Sequence, residues 1–136
     1  MKRIVSLEFS ELGEKVAIEL NGSQSPKTVK AIIESLPIKM IINRWGDELY
    51  TDETPIRVEE ENAKSVVNLL DVAYWPEGSA LCLFYGPTPA SKGNEILPYS
   101  PVNIIGRIVT KPANVQDFLK SVEKTHVSKK VPVVLR

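Results

Sequence analysis

Asp71-Val72-Ala73-Tyr74-Trp75-Pro76-Glu77-Gly78-Ser79-Ala80-Leu81-Cys82-Leu83-Phe84-Tyr85-Gly86-Pro87-Thr88-Pro89 is the stretch on which the reading of the fold turns. Residues 72–75 read as a strand ended by Pro76-Glu77-Gly78. Residues 80–85 read as an apolar, aromatic strand stopped by Gly86-Pro87-Thr88-Pro89. Tyr74 and Trp75 point to opposite faces of their strand, as do Phe84 and Tyr85, so one of each pair belongs to the core and the other faces outward.

The same grammar recurs on both sides. Val5, Leu7 and Phe9 alternate with polar residues, and so do Val16, Ile18 and Leu20. With Ser10-Glu11-Leu12-Gly13-Glu14 between them, they predict a hairpin. Ser25-Pro26 predicts an N-cap followed by a proline in the first turn, and Val29, Ile32, Ile33 and Leu36 give one apolar helical stripe. Ile38, Met40 and Ile42 open a strand read as continuing to Tyr50, with Gly46 as a bulge or bend. Residues 56–58 are expected as a short strand, and residues 64–70 fit strand or helix. After the proline-bearing loop 90–101, residues 102–109 form a strand. Val115, Phe118, Leu119 and Val122 mark a second amphipathic helix, and Val131, Val133 and Leu135 a last strand, where Pro132 needs a position that does without its N–H. Short strands that do not alternate strictly with helices argue against a doubly wound sheet. They predict a mainly β fold: a closed barrel of about eight strands with a helix over each end, in one domain spanning 1–136.

Composition bounds the function. The 136 residues are 43% hydrophobic and 25% charged, with 17 basic and 17 acidic side chains. A net charge of zero leaves no global footprint for nucleic acid or anionic lipid. One Cys and one His exclude an internal disulfide and leave no ligand set for a metal of the usual Cys/His kind; no cofactor is implied. No apolar run approaches a membrane span, and the opening Met1-Lys2-Arg3-Ile4-Val5 is broken by Ser6 and Glu8 before it resembles a signal peptide. A cytoplasmic protein is expected. Residues 44–77 are locally acidic and 102–136 locally basic. These read as solvated faces, Glu59-Glu60-Glu61 as a loop and His126 as a surface residue.

Three segments carry a resemblance: Arg44-Trp45-Gly46-Asp47-Glu48-Leu49-Tyr50, the stretch 71–89, and Pro101-Val102-Asn103-Ile104-Ile105-Gly106-Arg107-Ile108-Val109. Together they resemble the small cyclophilin-like family of archaea and thermophilic bacteria, over nearly the whole chain. The resemblance implies the cyclophilin barrel of eight antiparallel strands with a helix over each end. The chain departs from the family pattern at Leu70-Asp71, where Gly-Asp is usual, and at Pro76-Glu77-Gly78, where Pro-Pro-Gly is usual.

True cyclophilins isomerise prolyl bonds with an arginine on a strand reading Phe-His-Arg and a pocket strand reading Gly-Ser-Gln-Phe-Phe. The resemblance places Asn43-Arg44 at the first, and at the second Gly78-Ser79 followed by Ala80, Leu81 and Cys82. The amide and both pocket aromatics are missing, which disfavours catalysis. The expected function is therefore a binding module whose groove holds a peptide or small polar ligand; the alternative is a prolyl isomerase of low activity using Arg44. The expected lining is Arg44, Trp45, Glu48, Tyr50, Tyr74 and Phe84, with Arg44, Glu48 and Tyr50 brought to one strand face by even spacing. Cys82, in an apolar run without a neighbouring His, reads as a buried, inert thiol.

Overall fold

Alternating apolar side chains fix the strands, and strand pairing closes them on themselves. The computed structural model describes residues 2–11, 13–110, 116–117 and 131–136. Strands β1 (Lys2–Phe9) and β2 (Glu14–Asn21) form the expected hairpin, with Val5 opposite Ile18 and Leu7 opposite Val16. Directly opposed residues share a face, so these four side chains enter one interior cluster. Then come α1 (Pro26–Ser35), β3 (Ile38–Trp45), β4 (Glu48–Thr51), β5 (Asp71–Trp75), β6 (Ala80–Phe84), β7 (Asn103–Ile108) and β8 (Val131–Leu135). All pairings are antiparallel, and the strands close in the order β1-β2-β7-β5-β6-β4-β3-β8. Closure removes every free sheet edge. Pro132 sits opposite Ile41 of β3, while the rungs to β1 involve only Val134 and Leu135, so its missing N–H falls beyond that ladder.

Among the described residues there is one helix, α1. Of the second expected helix only Gln116 and Asp117 are described, and they are helical; Val115, Phe118, Leu119 and Val122 lie outside the described residues, as does His126. Val29 and Ile32 of α1 join the interior cluster, with Ile33 and Leu36 partly buried against it. No helix among the described residues is long and apolar enough to cross a membrane.

The cap on α1 is a correction. Ser25 makes no side-chain cap bond; its hydroxyl donates instead to the Glu61 carbonyl at 3.1 Å. The carboxylate of Glu61 caps the helix from a distant loop. It accepts the Lys27 N–H (3.0 Å), the Thr28 N–H (3.0 Å) and the Thr28 hydroxyl (2.8 Å). A negative charge there meets the positive end of the helix dipole. Desolvation alone would raise the Glu61 pKa, but these donors and the Lys27 charge outweigh it and hold the carboxyl below its ordinary value. Buried Asn103 locks the joint, accepting the Glu61 N–H at 2.8 Å and donating to Thr28 Oγ1 at 3.1 Å. Of the three glutamates read as a solvated loop, Glu59 and Glu60 are exposed and Glu61 is a structural anchor.

Three further expectations change. The strand read from Ile38 to Tyr50 is two strands reversing at Gly46-Asp47. Residues 56–58 are not a strand, and residues 64–70 are irregular, held by isolated bridges from Lys64 to Val102 and from Val67 to Ile96. Leu70 stands at φ +70°, in the left-handed region that favours glycine. That backbone costs a leucine about 1–2 kcal/mol. Its side chain is buried in the barrel interior, which returns roughly 1.5–3 kcal/mol. A leucine in place of the usual glycine is thus tolerated because it fills core.

Glu61→Ala should lower stability by about 0.5–2 kcal/mol in chemical denaturation near neutral pH. Glu61 has a lowered folded pKa, so its charge-dependent contribution is present above the unfolded value of 4.5 and lost as pH falls through the folded value. The gap between variant and wild type should accordingly narrow in acid. A gap that is absent at neutral pH would show that Glu61 does not anchor α1.

Candidate functional site

The barrel has a second, smaller apolar cluster on its outer face. Along β5, Val72 and Tyr74 face the interior while Ala73 and Trp75 face out. Along β6, Leu81 and Leu83 face in while Cys82 and Phe84 face out. All five residues of β6 are buried, because the chain after it folds back over the outer surface. That cover, residues 86–101, is internally bonded. Thr88 N–H and Leu97 N–H both donate to Ser91 Oγ (2.9 and 3.1 Å), the Thr88 hydroxyl donates to the Leu97 carbonyl, and Val67 N–H donates to the Ile96 carbonyl at 3.0 Å.

The β3–β4 reversal sets what faces the cover. Trp45 opposes Glu48, Asn43 opposes Tyr50, and Arg44 opposes Leu49. Across a two-residue turn opposed residues differ in parity, so Trp45, Glu48 and Tyr50 lie outside while Arg44 shares the phase of interior Leu49. On the next ladder Glu48 opposes Phe84 and Tyr50 opposes Cys82. Between this surface and the cover lies a cavity of about 190 Å³. Trp45, Tyr50, Trp75 and Tyr99 supply aromatic rings, and Glu48, Cys82, Pro98 and Val102 complete its lining. Tyr99 stands edge-on to Trp45 (ring centroids 6.0 Å apart) and to Trp75 (5.9 Å). Trp75 is fixed from two sides. Its Nε1–H donates to Ser100 Oγ at 2.6 Å, and Gly78 lies so close beneath it that a Cβ there would come within 2.3 Å of the indole.

Of the six residues expected to line a groove, Trp45, Glu48 and Tyr50 line this cavity. The other three do not. Arg44 is on the opposite strand face, exposed, its Nε–H donating to the Gly46 carbonyl at 2.8 Å. Tyr74 is fully buried inside the barrel, its hydroxyl donating to the Ile56 carbonyl at 2.8 Å and accepting the Val58 N–H at 3.3 Å. Phe84 faces outward but is fully buried in the outer cluster. Trp75, Cys82, Pro98, Tyr99 and Val102 stood outside the expected lining. Alternation put Trp75 on the face opposite Tyr74 without saying which of the two faced the core; Pro98 and Tyr99 are placed by the course of the loop.

Glu48 dominates the electrostatics. It is 5% exposed, and its Oε1 has no hydrogen-bond partner. Burial pushes its pKa from 4.5 up to about 7, against the opposing effect of a hydrogen bond with Cys82. Burial, and then the Glu48 charge and hydrogen bond, raise the Cys82 thiol well above its ordinary range. The thiolate is suppressed, in keeping with an inert thiol.

The Cyclophilin-like family matches residues 3–129. The solution structure of the hypothetical protein AF2241 from Archaeoglobus fulgidus is similar at 40% identity. That match covers 99% of this chain and 94% of that one, with a TM-score of 0.74. The protein belongs to the cyclophilin-like family. A structure of McbB in complex with tryptophan shares the fold at 16% identity and a TM-score of 0.74, covering 97% of this chain and 44% of that one. No curated protein matches the chain.

An acid whose pKa is higher folded than unfolded binds more protons in the native state between the two values. The contribution of Glu48 to stability therefore falls as pH rises from about 4.5 to about 7 and is flat beyond. Glu48→Gln removes the buried charge and keeps the shape. It should exceed wild type by up to about 3 kcal/mol above that window and match it below, in denaturant melts across pH. A loss of about 3–5 kcal/mol instead would mean that Glu48 is half of a buried ion pair.

Proposed function

We propose that this protein is a binding module that holds a small molecule in the outer-face cavity between the β3–β4 hairpin, β5–β6 and the cover at residues 86–101. The observation that carries the reading is one buried, underbonded carboxyl group set among four aromatic rings in a cavity. Binding sites are concave and mostly apolar, with a few polar groups that fix orientation. A buried acid with one thiol partner and an unbonded oxygen works against folding, so its presence calls for a role outside folding. An apolar cavity of roughly 150 Å³ accepts a benzene ring. About 190 Å³ suits one ring with a short tail, or a single peptide side chain, rather than an extended peptide. The complex of McbB with tryptophan supports the idea that this fold can accommodate a small molecule of that size.

The isomerase alternative draws no support from the geometry, because Arg44 lies on the strand face opposite Glu48 and outside the cavity. For a ring-bearing fragment found by ligand-observed NMR, Trp75→Ala should weaken binding at least about tenfold, ~1.4 kcal/mol. Arg44→Ala should leave affinity within about twofold. Equal sensitivity to both substitutions, or loss only with Arg44→Ala, would move the site to another face.

A further inference from the structure

The cavity holds an acid and lacks a base. Among the described residues that line it none is Lys, Arg or His. The titratable groups beside Glu48 are Tyr50 on its own strand, Cys82 from β6 and Tyr99 from the cover; β3 and β5 contribute Trp45 and Trp75, which carry no charge. A carboxylate out of water needs a cation or strong donors. Glu48 has a thiol, which is a weak donor, and an Oε1 with nothing. The rings around it are of the kind whose faces attract cations, tryptophan most strongly. Trp45 and Trp75 both stand edge-on to Tyr99, which is 72% exposed and so available to a ligand entering from solvent.

We propose, on the reading of this cavity as a ligand site, that the ligand is a small organic amine bound as its ammonium ion. The ammonium lies beside Glu48 and donates N–H to its carboxylate, the indoles of Trp45 and Trp75 flank the charge, and the apolar body rests against Tyr99 and Val102. Each alternative leaves something unmatched. A neutral ligand leaves the acid unpaired, and an anion faces a like charge. A quaternary ammonium satisfies the rings and gives Oε1 no donor.

The test uses three probes on the full chain: phenethylamine, phenethyl alcohol and 3-phenylpropionate, titrated by isothermal calorimetry or Trp fluorescence. Phenethylamine should bind at least about tenfold more tightly than the alcohol above pH 7, and the carboxylate should be the weakest. The amine stays protonated across this range while Glu48 does not stay ionised, so amine affinity should fall about tenfold from one pH unit above 7 to one below, and alcohol affinity should not. Glu48→Gln should remove both the preference for the amine and its pH dependence; Glu48→Asp, which keeps the charge, should retain the preference. Equal binding of amine and alcohol, or an amine preference that survives Glu48→Gln, overturns the inference while leaving the cavity as a ligand site. Absence of binding by all three at millimolar concentration also overturns it, and the fragment screen then decides separately whether the cavity binds anything.

Discussion

The two-residue reversal at Gly46-Asp47 is the joint on which the outer face depends. Gly46 has φ +62°, and a Cβ there would come within 2.6 Å of Pro89 Cδ and 2.9 Å of Thr88 Cα. Only glycine permits both the turn and the close approach of the cover. Asp47 ties the turn to the end of β6, donating its N–H to the Pro87 carbonyl at 2.9 Å and accepting the Tyr85 N–H at 3.0 Å. The reversal sets the phase that puts Trp45 and Glu48 outside, and the contact at Gly46 starts the cover on the path that brings Pro98 and Tyr99 over them. One turn thus determines both walls of the cavity.

The two faces of the sheet are held by different means. The interior is a continuous, mainly aliphatic cluster with residues from all eight strands, held chiefly by non-directional burial. The outer cluster is small, and its cover depends on polar bonds, through buried Thr88, Ser91 and the Trp75–Ser100 link. A loop bonded in this way keeps the rings of Trp45, Trp75 and Tyr99 near one arrangement before any ligand arrives. Preorganisation of that kind reduces the ordering cost of binding. Glu48 works in the opposite direction, since its ionised form is disfavoured by the same burial that shapes the cavity.

The barrel was legible because alternation in β1, β2, β3 and β8 reports one buried face directly. β6 does not alternate, and its continuous apolar run is explained by cover on both sides. The site was half legible. Glu48 and Tyr50, picked by even spacing along the strand, and Trp45, from the segment that carries the resemblance, do line the cavity. Arg44 was misplaced because a glycine within a strand pattern fits a bulge as well as a hairpin, and the two put opposite faces outward. Choosing Trp75 over Tyr74 for the lining required the phase of β5, which its pairing with β6 and β7 sets and a five-residue segment cannot report. Glu61 as the cap of α1 lay beyond local reading, because the charge comes from a loop far along the chain while Ser25 offered the nearer cap.

The departure from cyclophilins on β6 changes meaning once the strand faces are known. Where those enzymes read Gln-Phe-Phe, this chain has Ala80, Leu81 and Cys82. Leu81 fills the barrel interior, and Cys82 lies on the cavity side, so only one of the two lost aromatics bears on the outer surface. The aromatic surface around the cavity comes instead from Trp45 on β3, Tyr50 on β4, Trp75 on β5 and Tyr99 on the cover. A small thiol at position 82 leaves space beside Glu48 that a phenylalanine ring would fill. A thiol at that position, across from Tyr50 and beside the Glu48–Phe84 pair, offers no ring there against which a proline could pack.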